Sequence, residues 1–107
     1  MAGPKGAYRH VVLFKFKENT PESTLGDIER AFERLCAELP FVTDLEWGRN
    51  SSPESLNQGC THCFIVSFAD SLGRDQYLPH PAHQAFCRTW LDPNLEKVIV
   101  VDFQAKD

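Results

Sequence analysis

Three of the four strand-like stretches in this chain are apolar in both alternating phases, yet only two longer stretches carry a helical repeat. No other feature constrains the fold as much. Successive side chains of a strand point to opposite faces. In residues 8–17, YRHVVLFKFK, one phase holds His10, Val12, Phe14 and Phe16, and the other holds Val11 and Leu13. In residues 60–69, CTHCFIVSFA, His62, Phe64, Val66 and Phe68 oppose Cys63 and Ile65. In residues 95–103, LEKVIVVDF, Val98 and Val100 oppose Ile99, Val101 and Phe103. Residues 41–49, FVTDLEWGR, read as a further strand weakened at its end by Gly48.

Leu25, Ile28, Phe32, Leu35 and Leu39 recur at spacings of 3, 4, 3 and 4, which predicts an amphipathic helix. Thr20 is the expected N-cap, Pro21 the first helical residue and Pro40 the stop. A short helical turn is expected from Asp70 to Tyr77. A second main helix is expected from Pro81 to Leu91, with Ala82, His83, Phe86, Cys87 and Trp90 facing inward. The order is β-α-β-β-α-β. It predicts an α+β, ferredoxin-like fold with a four-stranded antiparallel sheet and both helices on one face. The second face is left apolar and uncovered. Large exposed apolar patches are rare on monomers, so this face is expected to meet its copy in a second chain. Two such sheets face to face make a dimeric α/β barrel.

The 107 residues make a single domain, with a core from about 9 to 104 and a flexible lead-in at 1–7. Eleven Lys and Arg against fifteen Asp and Glu give a formal charge of −4, which argues against nucleic acid or an anionic membrane as partner. No apolar run approaches the roughly 18 residues that span a bilayer. Met1–Tyr8 contains no apolar segment of the secretory type, so a cytoplasmic location is expected. There the four cysteines are reduced thiols. Cys60-Thr61-His62-Cys63 has C-x-x-C spacing. Near the start of a strand its two thiols fall on opposite faces, and no second Cys/His pair completes a zinc site.

The chemistry-bearing residues gather in two places. His10 and His62 lie in the phases expected under the helices. Tyr77, His80 and His83 surround the start of the second main helix. One phenol and several imidazoles therefore converge between sheet and helices, among Val12, Phe14, Phe32, Phe64, Phe86 and Trp90. Apolar walls with a few polar groups suit a small-molecule site. A neutral imidazole abstracts protons near neutrality, and a phenol donates to a developing oxyanion. Such chemistry needs neither cofactor nor metal, and no dinucleotide, phosphate or zinc-protease motif is present. Each residue also has a structural reading: His10 as a strand anchor, His62 as a bonded core histidine, His80 as a helix cap, and Tyr77 as packing under the turn.

Arg9-His10-Val11-Val12-Leu13-Phe14-Lys15-Phe16-Lys17, Trp47-Gly48, Thr61-His62 and Tyr77-Leu78-Pro79-His80-Pro81-Ala82-His83-Gln84-Ala85-Phe86 resemble the stress-responsive dimeric A/B barrel domain family over about residues 9–104. The resemblance implies the same fold and a homodimer. It includes plant stress proteins and an aldol-type polyketide cyclase. Carried over from that enzyme, Tyr77 and His83 become the catalytic pair, and His10, His62 and Phe86 become pocket residues. Phe32 and Glu29 stand where the enzyme has a tyrosine and a phenylalanine. Three readings follow from the resemblance: a cofactor-free cyclase or lyase, a non-catalytic stable stress-associated dimer, and a cofactor-free monooxygenase-like barrel.

Overall fold

The computed structural model describes residues 7–106; the expected lead-in at 1–6 lies outside the described residues. Its strands are β1 (Tyr8–Phe16), β2 (Asp44–Arg49), β3 (His62–Phe68) and β4 (Leu95–Gln104). Its helices are α1 (Glu22–Glu38), α2 (Ser71–Tyr77) and α3 (Pro81–Phe86), and a π-helical turn, Cys87–Leu91, follows α3. The sheet order is β2-β3-β1-β4 with antiparallel neighbours, the ferredoxin-like α+β arrangement. Ala7, read as lead-in, is buried, and its carbonyl accepts from Ala105 N–H at 2.9 Å.

The helices lie on one face of the sheet. Ile28, Ala31, Phe32, Leu35 and Cys36 are the buried residues of α1, which faces Val12, Phe14, Phe64 and Val66 of the central strands. Phe32 and Phe64 stack with centroids 4.3 Å apart. The start of α1 differs from expectation. Thr20 turns its hydroxyl back to donate to Lys17 O at 2.7 Å, so Pro21 occupies the cap position and the helix begins at Glu22. Strand β2 starts at Asp44 rather than 41, with Phe41 and Val42 packed at the core margin. Strand β3 starts at His62, which leaves Cys60 in the preceding turn.

The second main helix is also not continuous. After Phe86 the hydrogen bonding widens, and Asp92 N–H donates to Cys87 O at 2.8 Å, an i+5 spacing. The helical layer stops short of β4. Val98 and Val100 pair with Phe14 and Val12 and so point to the helix side, yet they are 47% and 51% exposed. A trough therefore runs between β4 and the α3 segment. On the opposite face Val11, Leu13, Ile65, Ile99, Val101 and Phe103 have no covering layer among the described residues. The described molecule is 19 Å across its thinnest direction, two layers deep.

Candidate functional site

The trough deepens into a cavity of about 260 Å³. β1 supplies His10, Val12 and Phe14, α1 supplies Phe32, α2 ends in Tyr77, and α3 with its π-turn supplies His83, Phe86, Cys87 and Leu91. Val98 and Val100 form the far wall.

Tyr77 lies at the last position of α2. Asp70 sets that helix by accepting from Leu72 N–H at 3.0 Å. The ring is held between His10, in edge contact at 5.7 Å, and Phe68 at 5.5 Å. Tyr77 is 1% exposed, and no hydrogen bond reaches its hydroxyl among the described residues. Burial raises its pKa far above the usual phenol range, so it remains a proton donor.

His83 stands one turn into α3, its ring centroid 4.4 Å from that of Tyr77. Nδ1–H donates to Leu78 O at 3.0 Å, since a carbonyl only accepts, and Nε2 is left with its lone pair. Cys87 Sγ sits 3.5 Å from that Nε2. Burial holds the imidazole below its ordinary 6.5, against the Leu78 hydrogen bond. The result is a neutral base beside a phenol that holds its proton.

His10 is fixed differently. Its Nδ1–H donates to Asp102 Oδ1 at 2.7 Å, and Arg74 Nη1 donates to Asp102 Oδ2 at 2.8 Å and to the Tyr8 hydroxyl at 2.9 Å. Burial works against the Asp102 carboxylate, but the Arg74 and His10 hydrogen bonds outweigh it and hold its pKa below 3.8. The His10 ring is oriented at the cavity rim with Nε2 unspent.

Four of the expected pocket residues lie elsewhere. His62 is buried behind α1. Its Nε2–H donates to Glu29 at 2.8 Å, and Nδ1 accepts from Thr61 Oγ1 at 2.8 Å, so both nitrogens are spent. Glu29 also accepts from Arg49, which places this carboxylate in a structural cluster rather than in the cavity. Phe64 is core under Phe32 and β2. His80 caps α3, its Nδ1 accepting from Ala82 N–H at 3.1 Å. Trp90 faces the outer groove between α1 and α3. A larger hollow of about 420 Å³ lies on the uncovered face beside Trp47 and Cys63, and its one imidazole is the spent His62. Among the described residues no three His, Cys, Asp or Glu side chains cluster to hold a metal, and all four cysteines are free.

Sequence reasoning missed Asp102 and Arg74. A charge following Val98 and Val100 in their own phase was the available signal for Asp102. Arg74 had none, because its reach depends on how α2 is seated.

Residues 8–105 match the family described as Stress responsive A/B Barrel Domain. This chain belongs to that family. As a stress responsive A/B barrel domain it is 31% identical to the stress-response A/B barrel domain-containing protein HS1 of Arabidopsis thaliana over 97% of this chain and 94% of the relative. It is 26% identical to olivetolic acid cyclase of Cannabis sativa over 91% of this chain and 95% of the enzyme. Hydroxynitrile lyase from Passiflora edulis shares the fold at a TM-score of 0.87 and 21% identity, covering 97% of each chain. A structure from Jannaschia sp. CCS1 described as a dimeric ferredoxin-like protein superposes at a TM-score of 0.71 and 25% identity, over 94% of this chain and all of that one. No described helix is long and apolar enough to cross a membrane.

Proposed function

We propose that this barrel domain is a cofactor-free lyase or cyclase acting on a small carbonyl compound, with His83 as base and Tyr77 as acid. One observation carries the reading: His83 Nε2, its lone pair met only by the Cys87 thiol at 3.5 Å, and a phenol without a hydrogen bond among the described residues share one mostly apolar cavity, with ring centroids 4.4 Å apart. His83 Nε2 removes a proton alpha to the carbonyl. The Tyr77 hydroxyl donates to the oxygen that becomes the enolate. The enolate carbon then attacks a second carbonyl of the same chain, and the proton returns from His83 to the new alkoxide. His10, aligned by Asp102, holds the polar end of the substrate. The likeness to olivetolic acid cyclase supports this class of chemistry.

The domain is proposed to work as a homodimer through the uncovered sheet face, in keeping with the dimeric neighbour. A second reading, a stable stress-associated dimer whose cavity only binds, is favoured by the likeness to HS1. Turnover of a panel of β-carbonyl compounds separates the two. Tyr77→Phe and His83→Ala should each lower the rate by roughly 10²–10⁴-fold while fold and mass are unchanged. Full turnover in both variants removes the acid–base assignment.

A further inference from the structure

The cavity holds a third chemistry-bearing side chain that the acid–base pair leaves unused. Cys87 follows His83 by four residues, one helical turn, so the two share a helix face. Its Sγ lies 3.5 Å from His83 Nε2, and Leu78 O fixes the other ring nitrogen at 3.0 Å. Thiol, imidazole and orienting carbonyl stand in the order nucleophile, base, orienter. Cys87 lines the cavity with Tyr77, whose hydroxyl makes no hydrogen bond among the described residues and is available to a substrate oxygen. Val98, Val100 and Leu91 give one apolar side with room for a short acyl chain, and Asp92 is the one carboxylate in the lining.

We propose that Cys87 is a nucleophile that accepts an acyl group from an activated donor, a thioester or aryl ester of a short carboxylic acid. His83 Nε2 takes the thiol proton as Sγ bonds to the acyl carbon. Tyr77 O–H donates to the carbonyl oxygen in the tetrahedral intermediate. The bond to the leaving thiol or phenol breaks, and His83 returns the proton to it. No oxidant or reductant enters.

Burial pushes the Cys87 thiol up and the His83 imidazole down, so the resting pair is neutral and the proton moves at the moment of attack. The other thiols are internal controls. Burial pushes Cys36 up to about 12, and no imidazole hydrogen-bonds Cys63 among the described residues, both nitrogens of the adjacent His62 being spent on Glu29 and Thr61. The proposal rests on the same cavity and base as the acid–base function, but its readout is an acyl–sulfur bond rather than C–H chemistry.

The test incubates the whole protein with p-nitrophenyl acetate and, separately, with the acetyl thioester of N-acetylcysteamine, then locates acetyl groups by peptide mass mapping. One acetyl group on Cys87 is expected, and Cys87→Ala should abolish it. His83→Gln and Tyr77→Phe should each slow it by about 10²-fold or more. Acetylation spread over Cys60, Cys63 and lysines overturns the proposal, as does an unchanged Cys87 rate in Tyr77→Phe, which keeps the buried ring should His83→Gln fail to fold. Wild-type protein that turns over a β-carbonyl compound yet leaves Cys87 unacylated overturns this proposal and leaves the acid–base reading standing. Acylation without C–H turnover does the reverse.

Discussion

His10 and His62 occupy equivalent-looking places, each on the helix-facing phase of a central strand, and their hydrogen bonds give them opposite uses. His62 spends both nitrogens, on Glu29 and Thr61, and stacks on Trp47. His62→Ala should therefore cost stability, roughly 2–4 kcal/mol from a lost charged hydrogen bond and the void left behind. Turnover at saturating substrate should not change, and chemical denaturation beside an activity assay measures both. The functional pair has its own pH signature. Because burial lowers the folded pKa of His83, the acid limb of kcat/KM should fall below 6.5. The unfolded chain binds this proton first, so the stability contribution of His83 is complete above 6.5 and is lost as pH falls through the folded value. A limb above 6.5 would point to another base. Residue types gathered Tyr77 and His83 with His80, His10 and His62, and the family resemblance singled out the pair. They could not separate His10 from His62, because the deciding partners, Asp102 and Glu29, lie 92 and 33 residues away.

At the scale of elements, the site exists because α2 comes close to β3 and the helical layer ends before β4. Gly73 makes the first possible. A Cβ built there would stand 2.7 Å from Phe68 Cβ, a distance no packed side chain tolerates. Gly73→Ala should push α2 outward, cost roughly 1–3 kcal/mol as overpacking, and swing Tyr77 away from His83. Thermal unfolding with a turnover assay would register both, and an unchanged melting temperature would show that α2 moves freely. The strand order and α1 were legible because their periods are long and regular. The break at Cys87 was not: residues 81–91 carry one apolar stripe, and the wider i+5 turn depends on how Asn94 and Asp92 close the chain back onto the helix. That break sets the wall of the cavity. Trp90, in phase with Phe86 on an ideal helix, consequently ends outside it.

At the scale of the whole molecule, the uneven coverage first read from the strand phases is the main physical fact. One sheet face is covered by α1, α2 and α3 except along β4. The other presents Val11, Leu13, Ile65, Ile99, Val101 and Phe103, with Val101 57% and Phe103 43% exposed. A layer of this kind loses apolar hydration when it meets a second copy, at about 25 cal/mol for each Å² removed from water. The middle of that face is the apolar Val11, Leu13, Ile65, Ile99 and Val101, with Arg9 against the Phe103 ring, Glu46 opposite Ile65 and Lys15 opposite Lys97 around it. Sedimentation at micromolar concentration should give twice the chain mass. Val101→Asp would place a carboxylate in the middle of the interface without a partner, at a desolvation cost large enough to split the dimer. The cavity lies on the opposite side of the sheet, so Tyr77 and His83 should keep their geometry in the resulting monomer. A wild-type monomer would remove the barrel. A Val101→Asp protein that still sediments as a dimer would move the interface to another surface.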